Sequence, residues 1–154
     1  MVWTSPSNIL RWRTAVSPTP RAAVAVPMEL RLLVPAQQAL PLPVYMRFCV
    51  DDPYAVSVAF QGPDEEVTWV FARDLLADGL DDARGEGDVT VQPCRRAGRD
   101  VLVIGLVSPD GAAELEADAA EVRSFIELCE SVLPRGQEHT VLDLDAELDQ
   151  LLAR

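Results

Sequence analysis

Lysine is absent from this chain, histidine occurs once, and phenylalanine, tryptophan and tyrosine together make up only 6% of its 154 residues. All 13 basic groups are therefore arginines, set against 25 acids for a formal net charge of −12. A field of that sign repels phosphate backbones and anionic lipid head groups, so neither nucleic-acid binding nor membrane insertion is expected. The lone histidine, His139, stands in a polar stretch without a nucleophile motif such as GxSxG, and a general base needs its partner within hydrogen-bond reach. Cysteine is scarce as well. Cys49, Cys94 and Cys129 form no CxxC pair, so no zinc site is expected, and the odd, widely spaced set fits a reducing, cytoplasmic compartment. No GxGxxG or Walker loop is present to cradle a phosphate. The longest uncharged apolar stretch near the N-terminus, "AAVAVPM", is too short to span a bilayer. These absences exclude the usual sequence signatures of a catalytic, metal or cofactor site.

What remains is ordinary globular material. Hydrophobic residues make up 49% of the chain, and this length closes one core that buries about two-thirds of the unfolded surface. The basic groups are unevenly placed. Residues 1–27 hold Arg11, Arg13 and Arg21 and no acid, which leaves 10 minus 25, or −15, from Met28 onward. That contrast sets an expected boundary. Residues 1–27 read as an N-terminal extension, either a disordered tail or the product of a start placed upstream of the native one. Residues 28–154 read as the domain.

Hydrophobic periodicity gives the elements. Residues 29–34, 44–50, 55–61 and 67–72 alternate with turn-forming residues between them, which predicts an antiparallel meander. The Pro-rich "PAQQALPLP" reads as a connection. A short helix follows Ala72, with Gly79 expected in a left-handed C-cap. A second set of strands is predicted at 89–93, 101–107 and 112–117. "CRRAGR" should form a hairpin tip, and "VLVIGLV" reads as a strand covered on both faces. Two helices close the chain. The first carries Val122, Phe125, Ile126, Cys129, Val132 and Leu133 on one face, with Asp118 and Glu121 placed for a capping box. The last carries Leu144, Leu148, Leu151 and Leu152 on one stripe.

Few residues qualify as a site. Asp143, Asp145, Glu147 and Asp149 read as a solvated helix face, since no histidine or loop ligand accompanies them. Trp69 and Phe71 read as core. Arg95, Arg96 and Arg99 at the hairpin tip are a place where an acidic partner could be received. Arg73 and Asp74 open the short helix at a rigid junction. They are the other candidates for partner binding, and Arg73 is expected to be exposed and dispensable for stability.

Several motifs in one order then carry a resemblance. "DPYAV" (52–56), "WVFARDLLADGL" (69–80), "GDV" (87–89), "SPDG" (108–111) and "DLDAELDQLL" (143–152) resemble the SsgA-like proteins of sporulating actinomycetes, over essentially Glu29 to Ala153. The resemblance implies an α+β, whirly-like fold: two antiparallel sheets, arranged as meander–helix–meander with two C-terminal helices. Such a fold has about eight strands, one more than the seven read from the residues. It also implies a trimeric homo-oligomer and no enzymatic activity. The implied role is in septum-site selection during sporulation-specific division, at the septum, through other SsgA-like proteins and the tubulin-like division protein FtsZ. No cofactor or metal is implied. Whirly-like folds elsewhere bind single-stranded nucleic acid, the alternative function, which a chain this acidic and poor in aromatics disfavours.

Overall fold

The computed structural model describes residues 11–14, 23–34, 39–61, 64–85, 87–109 and 111–153. The first half of the chain forms β1 (Arg11–Thr14), β2 (Val24–Leu33), β3 (Leu40–Phe48), β4 (Ala55–Gln61), β5 (Glu66–Ala72) and the helix α1 (Arg73–Gly79). The second half forms β6 (Val89–Arg96), β7 (Arg99–Ser108), β8 (Gly111–Asp118), α2 (Ala119–Val132) and α3 (Glu138–Leu152). Period-two alternation decides which face of each strand is inward. In β3, Val44, Met46 and Phe48 are buried, and so are Val56 and Val58 of β4 and Trp69 and Phe71 of β5. Trp69 meets the edge of Phe60 across the strand pair at 5.0 Å between ring centroids. Burying side chains of this size stabilises the fold by about 1.5–3 kcal/mol each.

The two expected sheets are one. All eight strands share a single antiparallel order, β1-β5-β4-β3-β2-β8-β7-β6. The join is narrow: Arg31, Leu32 and Leu33 of β2 pair with Glu116, Leu115 and Glu114 of β8. Separate sheets would leave both of these strand edges with unpaired backbone groups, and the join satisfies them over that stretch. The eighth strand is β1, an edge strand along β5, which falls in the expected extension. β2 begins at Val24, which is buried, so this strand starts inside the expected extension. The rest of that extension lies outside the described residues.

Proline did not end the strands where expected. β3 includes Pro41 and Pro43, and β6 runs through Pro93 to Arg96. A proline lacks only the donor on one side of the strand. β4 pairs with β3 only at Tyr45–Arg47, and β6 is the last strand of its sheet, so each of these prolines has an edge free of a neighbour. The β6–β7 hairpin turns on Ala97 and Gly98, both at positive φ (50° and 76°), the backbone that a two-residue turn of this hand needs. In β7, Val101 and Val103 are buried on one face and Leu102, Ile104 and Leu106 on the other, as a doubly covered strand requires.

The helices pack on the core face. Asp118 caps α2, accepting from the Ala120 and Glu121 N–H groups at 2.9 and 3.2 Å. Val122, Phe125, Ile126, Cys129 and Leu133 are buried as predicted, but Val132 stays exposed. Gly79 is not a left-handed cap. It lies within α1, and a Cβ there would sit 2.3 Å from Val91 Cγ1. Glycine is required because the helix presses against β6. Among the described residues no helix is long and apolar enough to cross a membrane.

The last helix departs furthest from expectation. Val141 and Glu138 seat its first turn, yet Leu148, Leu151 and Leu152 are 53%, 66% and 82% exposed. Leu144 lies among the side chains that are not described. Of the predicted stripe, the described leucines face solvent.

Candidate functional site

The junction between β5 and α1 holds Arg73, the one fully buried arginine among the described side chains. Ala72 keeps extended backbone (φ −66°, ψ 135°), and the Arg73 N–H donates to the Tyr54 carbonyl at 2.8 Å, which fixes the turn from strand to helix. The Arg73 side chain then runs inward and is 0% exposed. Its Nη1 donates to the Leu133 carbonyl at the end of α2, and its Nη2 to Glu138 Oε1 at the start of α3, both at 2.7 Å. The guanidinium also lies over the Phe48 ring, 4.9 Å from the centroid. Nε has no acceptor.

This overturns the expectation that Arg73 faces a partner. It is a structural clamp joining β3, α1, α2 and α3. A charge so far from water survives only when paired and hydrogen-bonded, which is why its contacts converge so tightly. Glu138 completes the clamp, since its Oε2 accepts from the Gly136 N–H at 2.8 Å. Burial pushes the Glu138 carboxyl upward. Hydrogen bonds from Arg73, from its own N–H and from Gly136, together with the Arg73 charge, outweigh burial and hold it below its ordinary 4.5. Burial pushes the Cys129 thiol up to about 12 despite the Arg73 charge, which acts to lower it, so it is no nucleophile near neutral pH.

A second arginine braces the same corner. Arg135 reaches Asp78 Oδ1 at 2.9 Å and Asp74 Oδ1 at 3.3 Å, both on α1, while its own N–H donates to Glu130 Oε2 at 3.0 Å. Asp74 is exposed, as expected, but it serves this brace. Neither Glu138 nor Arg135 stood out in the sequence. The weak signal available was an arginine, a glycine and an acid crowded into the break "PRGQEH".

At the other end of the sheet the hairpin arginines are exposed, as predicted, but each has a carboxylate. Arg95 meets Asp100 at 3.3 Å, Arg96 meets Glu116 at 3.3 Å, and Arg99 meets Asp118 at 3.1 Å. Asp118 is pushed up by burial, but the Glu121 and Ala120 N–H groups and Arg99 hold it below its ordinary 3.8. The open groove beside the hairpin, about 830 Å³, is lined by Arg95, Arg99 and Arg123 but also by Asp100, Asp118 and Glu127. The structure therefore does not bring Arg73 and Asp74 together with Arg95, Arg96 and Arg99 into one surface. Among the described side chains every arginine is within 2.7–3.8 Å of a carboxylate. Among the described residues no three His, Cys, Asp or Glu side chains converge on a metal position.

Mostly antiparallel sheet with a few helices against it, its buried charges tying helix to helix, defines an α+β scaffold. The chain belongs to the SsgA family. The profile of the Streptomyces sporulation and cell division protein SsgA matches residues 42–138. The sporulation-specific cell division protein SsgB of Streptomyces coelicolor is 47% identical over 131 residues, which is 84% of this chain and 96% of the relative. SsgB of Kineococcus radiotolerans is 44% identical over 138 residues, 88% of this chain and 84% of the relative. Among solved structures, an SsgA-like sporulation-specific cell division protein from Thermobifida fusca superposes with a TM-score of 0.78 at 36% identity, covering 88% of this chain and 98% of that one. A structure described as linking SsgB mutations to longitudinal cell division during sporulation of Streptomyces coelicolor superposes with a TM-score of 0.72 at 40% identity, covering 88% and 99%.

Proposed function

We propose that this protein is a non-enzymatic regulator of sporulation-specific cell division, an adaptor that takes part in septum-site selection and helps recruit FtsZ. Family membership over nearly the whole length of relatives named as sporulation-specific cell division proteins supports the biological setting. The observation that carries the mechanism is the consumption of positive charge: among the described side chains every arginine lies beside a carboxylate, within a chain of net charge −12. Such an exterior offers phosphates no cradle and favours docking to proteins. On this reading the fold is whirly-like, the working form is a homo-oligomer such as a trimer, and the protein acts in the cytoplasm at the septum beside other SsgA-like proteins.

The test is a pull-down of purified FtsZ by the full chain at moderate salt, run beside a single-stranded oligonucleotide. Retention of FtsZ and not of the oligonucleotide supports the adaptor. Salt-sensitive retention of the oligonucleotide without FtsZ would reverse it. A fluorescent fusion in sporulating hyphae should form ladders at septa, and diffuse fluorescence would count against the septal role.

A further inference from the structure

The C-terminal half of α3 carries leucines in a helical stripe that the described fold leaves uncovered. Leu148, Leu151 and Leu152 follow i, i+3, i+4 spacing, the arrangement that places side chains on one face, and all three are exposed. Three exposed leucines on one short stretch of helix form a patch rather than scattered apolar surface. Glu138 is taken up by Arg73, and the remainder of α3 to Leu152 holds Asp143, Asp145, Glu147 and Asp149 and no arginine or lysine.

The base of this helix is held firmly. Glu138 is bound by Arg73 and by the Gly136 N–H, and Val141 packs on the core. A helix anchored at one end and apolar at the other is pre-organised for docking, because less ordering entropy is lost on binding. The occupant follows from charge. A second α3 laid against the first would set one acidic helix sequence against another, and like charges destabilise helix pairing. A partner with an apolar stripe bordered by arginine or lysine satisfies both the leucines and the acids.

Resting on the adaptor reading, we infer that Leu148, Leu151 and Leu152 form a docking face for a basic amphipathic helix of another protein. Recognition combines leucine burial with flanking carboxylate-to-cation pairing. The hairpin arginines take no part.

The probe is a synthetic amphipathic helix with leucines at i, i+3, i+4, i+7 and lysines on its flanks, titrated against the full chain. Two variants accompany the wild type. Leu148→Ser/Leu151→Ser/Leu152→Ser removes the apolar face, and Asp143→Asn/Asp145→Asn/Glu147→Gln/Asp149→Asn removes the charge. Binding by the wild type, weakened roughly tenfold or more in each variant, is the expected result. It should weaken further as salt rises. No binding by the wild type overturns the inference. So does full binding by the serine variant, which would mean bare electrostatic attraction. A wild type that sediments as a larger oligomer than the serine variant also overturns it, because a second copy then covers the face. The inference fails without the adaptor reading if the serine variant still captures FtsZ as the wild type does. The adaptor reading fails alone if the peptide binds as expected and FtsZ does not.

Discussion

Helices α2 and α3 look alike in sequence and differ in the folded molecule. Both carry apolar residues at helical spacing. In α2 that face lies against the sheet with Phe125 fully buried, whereas in α3 Val141 of the first turn packs on the core and Leu148, Leu151 and Leu152 meet solvent. The difference teaches that periodicity establishes an apolar face without saying what covers it. Here α1 and α2 cover the core side of the sheet, and α3 is tied on at its base by a charge clamp.

Substitutions on the two helices and at the clamp test that contrast. Phe125→Ala on α2 should cost about 3–5 kcal/mol in urea denaturation, the usual loss for a fully buried aromatic. Trp69→Ala on β5 belongs in the same range. The clamp should matter nearly as much. Arg73→Ala strands the buried Glu138 carboxylate and should cost about 3–5 kcal/mol, the reverse of what an exposed partner-binding arginine would do. Replacing both partners, as Arg73→Met/Glu138→Leu, should cost less than Arg73→Ala alone. A double variant less stable than the single one would show that the pair is worth more than its burial.

A smaller effect is expected where α1 meets β6. Gly79→Ala places a methyl group against Val91 and should cost about 1–3 kcal/mol as overpacking. A neutral outcome would mean that α1 can shift off the sheet. Removing the α2 cap with Asp118→Ala should cost about 1 kcal/mol.

Acid provides an independent reading of the clamp. Glu138 has a folded pKa below its ordinary 4.5, so its stabilisation is fully present above 4.5 and is lost as pH falls through the lower folded value. Glu138→Gln should lower stability at neutral pH and flatten the pH dependence below 4.5. An unchanged acid limb in the variant would assign that dependence to other carboxylates, such as Asp118.

Much of the sheet was legible in the sequence because strands half-covered by helices alternate cleanly, as Val44, Met46 and Phe48 do. The losses each have a cause. Pro41, Pro43 and Pro93 read as breakers because edge pairing is invisible along the chain. Gly79 reads as a left-handed cap because a turn and a close approach both require a missing Cβ. Arg73 reads as exposed because arginine normally lies at the surface, and its partner Glu138 is 65 residues away. The hairpin arginines were found at the surface as expected, but their pairing with Asp100, Glu116 and Asp118 depends on strand register.

Urea denaturation of the Leu148→Ser/Leu151→Ser/Leu152→Ser chain tests the contrast between the two helices most directly. Stability should stay within about 0.5 kcal/mol of the wild type, as for other substitutions of exposed side chains. A loss approaching that of Phe125→Ala would show that these leucines belong to the core, and that no apolar face is left on α3 for a partner.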